Sequence, residues 1–285
     1  MSDRTPLCKI ETFRAGDGYC WRYRRYEPSR PPRAHVVCIH GIQSHSGWYM
    51  LSCHWLRQKG FIVSFLDRRG AGMNEQGRGD TPSFRRLLDD LAEYLRSLRQ
   101  AESVPVFLVA ISWGGKLASA LQRRHPGLVD GLALLCPGFV SRVHPTFREQ
   151  LGIFWARLVS PRRLFRVPLD NPELFTASPH RQQFIRDDPL ALRQATARLL
   201  VESVRLDGYL RFVPRHVQVP VLLLLAECDR IIDNEATCRY VSRFASKEIE
   251  TIEYRGAHHT LEFEPDPELF LSDLQRWLER RLPRK

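Results

Sequence analysis

Three residues that can act together as a nucleophilic centre each follow a strand-like run of the sequence. Ser112 follows the run at residues 104–111, Asp229 follows 219–226, and His259 follows 249–254. A serine hydroxyl becomes a strong nucleophile when a histidine takes its proton and a carboxylate orients that histidine. Because the carboxyl ends of parallel strands meet at one edge of a sheet, we expect the three side chains to converge there.

The segment around Ser112 has the pattern of a strand, a sharp turn and a helix. Ala110, Gly114 and Gly115 are small enough to let strand and helix pack closely around the serine. The usual pattern of such a nucleophile elbow is G-x-S-x-G, and alanine stands here at its first position. Taken alone, the stretch also fits a buried strand followed by a glycine-rich turn in which Ser112 caps the helix.

Apolar strands alternate with helical patterns along most of the chain. The predicted strands lie at residues 7–13, 19–26, 35–40, 61–66, 104–111, 130–136, 219–226 and 249–254, and the first two form a hairpin. The predicted helices lie at residues 47–59, 84–100, 113–125, 234–246 and 267–282. This alternation indicates an α/β fold with a mostly parallel, eight-stranded sheet and helices on both of its faces.

The alternation stops between residues 139 and 214. Two long helical patterns lie there, at residues 147–158 and 190–212, with proline-rich links. We therefore predict a core made of residues 1–138 and 215–285, with residues 139–214 inserted after the sixth strand as a helical cap.

Composition narrows the class of protein. A chain of 285 residues, 43% of them hydrophobic, fits one large domain or a core with an insertion. No run of 18 apolar residues predicts a membrane span, and the N-terminal stretch has no apolar signal region. The net charge is +11, yet no nucleic-acid-binding motif accompanies it, so we expect no nucleic-acid partner.

The seven cysteines are scattered and form no C-x-x-C pair. This pattern favours reduced thiols in a cytoplasmic protein over a disulfide framework or a zinc site. Cys228, next to Asp229, is expected to be buried and inert.

Five stretches together resemble the α/β-hydrolases of the monoglyceride lipase, lysophospholipase and serine aminopeptidase S33 group. They lie at residues 40–49, 67–72, 110–116, 225–233 and 256–260, and they span nearly the whole predicted core. The resemblance implies the α/β-hydrolase fold, in which residues 139–214 match the cap in position and length.

The resemblance also implies a role for each matching residue. Ser112 would be the nucleophile, His259 the general base, and Asp229 the acid that orients the imidazole. The backbone N–H groups of Ile42 and Trp113 would form the oxyanion hole. No metal or organic cofactor is implied.

Two of these assignments have alternatives close by in the sequence. Asp233 could replace Asp229, although it fits better as the N-cap of the following helix. His258 could replace His259, although the family pattern places the catalytic imidazole second.

Three other polar residues near these motifs have structural interpretations. His40 is expected to pack within its loop, and Asp67 to order the loop that follows it. Lys116 is expected to pair at the surface or with a loop.

The first helical pattern of the inserted segment places five large apolar residues on one face: Phe147, Leu151, Phe154, Trp155 and Leu158. Residues 139–214 also contain 12 arginines and seven acidic residues. Such a face suits a helix resting on a membrane surface, and it equally suits packing onto the core or lining an acyl pocket. Both alternatives point to a substrate with an apolar chain.

The sequence thus predicts a serine carboxylic-ester hydrolase that acts on a small acyl ester such as a monoacylglycerol or a lysophospholipid. Peptidase, thioesterase or acyltransferase chemistry on the same residues stays open, as does a non-catalytic binding module of this fold. The expected location is the cytoplasm, with peripheral contact at the inner face of the membrane as an option.

Overall fold

A computed structural model describes residues 8–283 of the chain. Residues 1–7, which include the expected start of the first strand and the N-terminal stretch without an apolar signal region, lie outside this range, as do residues 284 and 285.

An eight-stranded sheet forms the centre of the protein. Its strands are β1 (Lys9–Arg14), β2 (Cys20–Tyr26), β3 (Ala34–Ile39), β4 (Phe61–Leu66), β5 (Val106–Ile111), β6 (Gly131–Leu135), β9 (Val221–Ala226) and β10 (Ile249–Tyr254). Their spatial order is β1-β2-β4-β3-β5-β6-β9-β10. Strands β1 and β2 pair antiparallel, as do β2 and β4, and every other neighbouring pair is parallel.

The five strands β3, β4, β5, β6 and β9 are buried along their whole length. Burial at every position means that both faces of the sheet are covered, as continuous apolar strands predict. The helices of this core are α1 (Met50–Gln58), α2 (Phe84–Ala101), α3 (Trp113–Arg124), α7 (Asn234–Val241) and α8 (Glu268–Glu279). The mostly parallel sheet expected from the sequence is therefore confirmed.

Residues 139–214 lie between β6 and the next strand of the large sheet. They contain α4 (Phe147–Val159), β7 (Leu164–Arg166), α5 (Pro179–Asp187), β8 (Gln194–Thr196) and α6 (Ala197–Leu210). We call residues 139–214 the inserted segment. Within residues 8–283, no helix is both long and apolar enough to cross a membrane.

The inserted segment differs from the prediction in its second half. The helix expected at residues 190–212 begins only at Ala197, because β8 pairs with β7 just before it. Thr196 then accepts a hydrogen bond from the Leu199 N–H and caps α6. Helix α5 was not predicted, although Ser178 and Pro179 supply a cap and a first-turn proline, which are ordinary start signals.

Candidate active site

Ser112 lies at the junction between β5 and α3, in an unusual backbone conformation. Its φ is 53° and its ψ is −123°, which places it among the two non-glycine residues at positive φ within the described part of the chain. Side chains rarely adopt this conformation, and it commonly costs about 1–3 kcal/mol. The turn sets the serine directly before the N-terminus of α3, where the helix dipole favours negative charge.

Two glycines allow α3 to pack against the ends of the strands. A Cβ atom at Gly114 would lie 2.7 Å from the carbonyl oxygen of His40, and one at Gly115 would lie 2.6 Å from the Cβ of Pro137. Gly41 lies next to the serine, and a Cβ atom there would lie 3.2 Å from the Cβ of Ser112. Side chains at these positions would displace the turn that carries the serine.

A chain of hydrogen bonds links Ser112, His259 and Asp229. Nε2 of His259 lies 2.9 Å from Oγ of Ser112, and Nδ1 lies 2.7 Å from Oδ2 of Asp229. Both His259 and Asp229 are buried. The structure thus brings together the three residues that the sequence analysis selected as nucleophile, base and acid.

The surroundings of Asp229 favour its charged form. Burial alone would raise the pKa of this carboxyl group. The nearby His259 and the backbone N–H groups of Ile231 and Ile232, at 2.8 and 3.0 Å from Oδ1, outweigh burial and lower the pKa below its ordinary value. A charged Asp229 can hold the Nδ1–H tautomer of His259, which leaves Nε2 free to accept the Ser112 proton.

The two neighbouring alternatives lie elsewhere. Asp233 caps α7 by accepting a hydrogen bond of 2.9 Å from the Ala236 N–H. His258 is half-buried, and its Nδ1 lies 3.5 Å from a carboxylate oxygen of Glu264. The hydrogen-bond chain to Ser112 therefore runs through Asp229 and His259.

The backbone N–H groups of Ile42 and Trp113 both border the site. Among residues 8–283, neither donates a hydrogen bond to a protein acceptor. Both residues line the same cavity as Ser112. Two free N–H groups beside a serine hydroxyl can donate hydrogen bonds to a developing oxyanion.

His40 fixes the orientation of one of these donors. Its Nδ1 lies 2.7 Å from the carbonyl oxygen of Gly41, and its Nε2 accepts from the Arg68 N–H at 3.2 Å. In a trans peptide the C=O of Gly41 and the N–H of Ile42 point in opposite directions, so holding the oxygen aims the N–H away from His40. Burial, followed by the charge of Arg68, lowers the pKa of His40 well below its ordinary value.

Asp67 orders its loop, as the sequence analysis expected. Its carboxylate accepts hydrogen bonds from the backbone N–H groups of Ser46, at 2.7 Å, and Met73, at 2.9 Å. The two bonds join the loop after β3 to the loop after β4.

Arg68 was not selected from the sequence, although it touches both residues of the expected oxyanion hole. Its guanidinium donates to the carbonyl oxygen of Ile42, and its Cζ lies 5.1 Å from the centre of the Trp113 ring. Burial lowers its pKa to about 10, which leaves it charged at neutral pH. A basic residue in a glycine-rich loop gives no sequence signal for such a contact.

A cavity of about 510 Å³ opens beside Ser112 and extends under the inserted segment. Most of its wall is apolar, with contributions from Phe139, Ile153, Leu169, Leu200, Val204 and Ile232.

Two expectations about nearby residues are wrong. Lys116 is buried and lines this cavity instead of the surface, because it pairs with Asp207 of α6. Cys228 is exposed, since its backbone N–H is held by Ala257 while the neighbouring Asp229 faces inward.

One group of side chains in the described residues could hold a metal ion. Ligand atoms of Cys136, Asp229 and His259 lie within 4.8 Å of one another. Asp229 and His259 already bond to each other there, so an ion would compete with the hydrogen-bond chain to Ser112.

Most of the chain matches a known protein family. The profile of the family described as "Serine aminopeptidase, S33" (Hydrolase_4) matches residues 30–266. The chain belongs to this family. The S33 match runs from the strand before Ile42 to beyond the loop of His259, so it includes every residue of the candidate site.

Individual proteins resemble most of the chain. Mouse monoglyceride lipase is 25% identical over 281 residues, covering 93% of this chain and 89% of the lipase. Lysophospholipase L2 of Escherichia coli is 26% identical over 275 residues, covering 86% of this chain and 79% of that protein.

A solved structure with a similar fold is the soluble variant of monoglyceride lipase from Saccharomyces cerevisiae in complex with a substrate analogue. It matches with a TM-score of 0.84 and 20% identity, covering 100% of this chain and 99% of that chain. The fold of this S33 family member is the α/β-hydrolase fold.

Proposed function

We propose that this protein is a serine hydrolase that cleaves carboxylic esters of lipid-like substrates, such as monoacylglycerols or lysophospholipids. The observation that carries the proposal is the hydrogen-bond chain from Ser112 through His259 to Asp229, which opens onto a largely apolar cavity. The similarity to monoglyceride lipase and lysophospholipase sequences supports the same substrate class.

In the first half of the reaction, Ser112 Oγ attacks the ester carbonyl carbon while Nε2 of His259 takes the hydroxyl proton. Charged Asp229 stabilises the imidazolium that forms. The tetrahedral intermediate then collapses, the bond to the alcohol oxygen breaks, and His259 returns the proton to the leaving alcohol. An acyl group remains on Ser112.

In the second half, water replaces the alcohol. His259 takes one proton from the water as its oxygen attacks the acyl-enzyme carbonyl. Collapse of the second intermediate releases the carboxylic acid and returns the proton to Ser112. No other reactant is needed.

The N–H groups of Ile42 and Trp113 serve as the oxyanion hole in both halves. They are already oriented before charge develops on the carbonyl oxygen, so no reorganisation accompanies the attack. One such donor typically contributes about 3–4 kcal/mol to transition-state stabilisation.

In this proposal the inserted segment acts as a cap over a core of residues 1–138 and 215–285, and it selects the acyl chain. Its residues form much of the apolar cavity wall, including Ile153, Leu169 and Leu200. We therefore expect esters of medium- or long-chain acids to be hydrolysed faster than acetate esters. Equal or reversed chain-length preference would contradict this choice of substrate.

Helix α4 is the proposed membrane contact of the cap. Phe147, Trp155 and Leu158 are 73%, 65% and 77% exposed, whereas Ile153 and Ala156 form the buried side of the helix. The face therefore neither packs onto the core nor lies mainly in the pocket, and exposed arginines lie near it at positions 148, 162 and 163. An apolar face bordered by arginines suits an anionic membrane surface, and seven free cysteines support a cytoplasmic location.

A fluorophosphonate probe tests the proposal directly. The wild-type protein should be labelled and should hydrolyse neutral esters, whereas Ser112→Ala should lose labelling and about 10⁴–10⁶-fold in kcat. A parallel panel of thioesters and aminoacyl amides separates ester hydrolysis from the other acyl-transfer reactions. A wild-type protein that neither reacts with the probe nor turns over any ester would contradict the enzyme proposal and favour a binding module.

A further inference from the structure

A small polar cluster interrupts the apolar wall of the cavity. It consists of Lys116 on α3 and Ser203 and Asp207 on α6, all of which line the cavity that contains Ser112. Nζ of Lys116 lies 2.5 Å from Oδ1 of Asp207, and the Trp113 indole N–H donates to Ser203 Oγ at 2.8 Å. Lys116 follows Ser112 by four residues, which corresponds to roughly 6 Å along the helix axis.

The two members of the ion pair differ in their access to water. The Lys116 side chain is 8% exposed, whereas that of Asp207 is 46% exposed. An exposed carboxylate loses little free energy when it leaves its partner, because water solvates it instead. A buried ammonium group left without an anion is far less favourable. Asp207 can therefore be replaced, but Lys116 needs an anion in its place.

From this asymmetry we propose that Lys116 binds an anionic group of the substrate, a carboxylate or a phosphate, which displaces Asp207 toward solvent. The inference rests on the proposed ester hydrolysis at Ser112 and specifies the substrate further. It gives the cavity an affinity for esters that carry a negative charge about one helical turn from the reacting carbonyl. An ester with only an apolar chain leaves the Lys116–Asp207 pair intact.

The charge could lie on the acyl side or on the alcohol side of the ester, and two matched substrate pairs distinguish these positions. The first pair is the p-nitrophenyl ester of hexanoic acid and the p-nitrophenyl monoester of adipic acid, which differ by a terminal carboxylate. The second pair is 1-oleoylglycerol and 1-oleoylglycerol 3-phosphate. Within each pair, the charged and neutral members share the reacting ester.

The decisive measurement is kcat/KM for both pairs with the wild type, Lys116→Met and Asp207→Asn, with active enzyme counted by fluorophosphonate labelling. Methionine keeps an unbranched side chain and removes the charge. We expect Lys116→Met to lower kcat/KM by about 10- to 100-fold for the charged member of one pair, with a change of less than about threefold for its neutral member. Asp207→Asn should raise kcat/KM for that charged substrate, because it removes the competing carboxylate.

Equal effects of Lys116→Met on charged and neutral members of both pairs would overturn the inference, leaving the ion pair as a link between α3 and α6 only. Lower use of the charged ester by Asp207→Asn would overturn the displacement step. The Asp207→Asn variant also keeps the test decisive if Lys116→Met does not fold. Failure of the wild type on every neutral ester would instead count against the proposed function.

Discussion

Nε2 of His259 lies 2.9 Å from Oγ of Ser112, although 147 positions of the chain separate the two residues. Ser112 follows β5, Asp229 follows β9, and His259 follows β10. All three strands are parallel neighbours or near neighbours in one sheet. The sheet therefore sets the geometry of the site, because it fixes the positions of three loops that have no local reason to meet.

Replacing Asp229 by asparagine should lower kcat by about 10⁴-fold, because an amide can neither stabilise the imidazolium nor enforce the Nδ1–H tautomer. Steady-state kinetics on a neutral ester, corrected for folded protein, would measure the loss. Asp233→Asn is the matched control, since asparagine caps helices as well as aspartate does. Its kcat should stay within a few-fold of the wild type, and a comparable loss there would contradict the assignment of Asp229.

His40→Phe should lower kcat by about 10- to 100-fold with little change in KM. The variant loses the hydrogen bond that holds the Gly41–Ile42 peptide, so part of one oxyanion donor's contribution is lost. His258→Phe is a control at another histidine near the site, and it should keep kcat close to that of the wild type. An unchanged kcat in His40→Phe, with folding verified by circular dichroism, would exclude this positioning role.

Glu262 should make the protein less stable as the pH rises toward neutrality. Burial raises its pKa from the ordinary 4.5 to about 7, against hydrogen bonds from Ser52 and from the backbone at Leu51. Between pH 4.5 and 7 the folded state therefore keeps a proton on Glu262 that the unfolded state has released. The stability that this proton provides is complete below about pH 4.5 and is lost as pH rises through 7.

Glu262→Gln measures this effect, because it removes the titration and keeps the shape of the side chain. The free energy of unfolding of the variant, relative to the wild type, should rise by about 2–3 kcal/mol between pH 5 and pH 8 in urea titrations. A constant difference between the two proteins across that range would show that Glu262 titrates normally.

Replacing both Phe147 and Leu158 of α4 by serine should weaken binding to anionic vesicles by at least about tenfold. Each side chain contributes roughly 1.5–3 kcal/mol if it is fully removed from water. Vesicle sedimentation measures the binding. Leu269→Ser is the control, because Leu269 is 61% exposed on α8 and lies outside the proposed contact.

Hydrolysis of a short, water-soluble ester by the double variant should stay close to the wild-type rate, since neither residue lines the cavity. Unchanged vesicle binding would remove α4 from the membrane contact.

The sequence predicted the core of this protein well because its signals are local. The buried strand β4 is almost entirely apolar and was predicted at its observed bounds, as was the edge strand β10, in which exposed and half-buried residues alternate. The hydrogen-bond partners Ser112, Asp229 and His259 were selected because each follows a predicted strand, and residue types at strand ends can be recognised without coordinates.

Features that depend on distant pairing could not be predicted in the same way. Strand β8 is only three residues long and exists through its pairing with β7. The burial of Lys116 depends on Asp207, which lies 91 positions further along the chain. In both cases the partner is a residue or strand on the inserted segment. Packing decides which residue or strand becomes the partner, and the periodicity of the sequence does not reveal it.

The pairing of β6 with β9 has a consequence for the order of folding. Leu132 faces Val221 in this parallel pair, although the whole inserted segment separates them. Closing so large a loop costs chain entropy before any contact compensates for it, so this pairing should form slowly. During synthesis Ser112 is made 147 positions before His259, so the hydrogen bond between them can form only after the segment that joins them has left the ribosome.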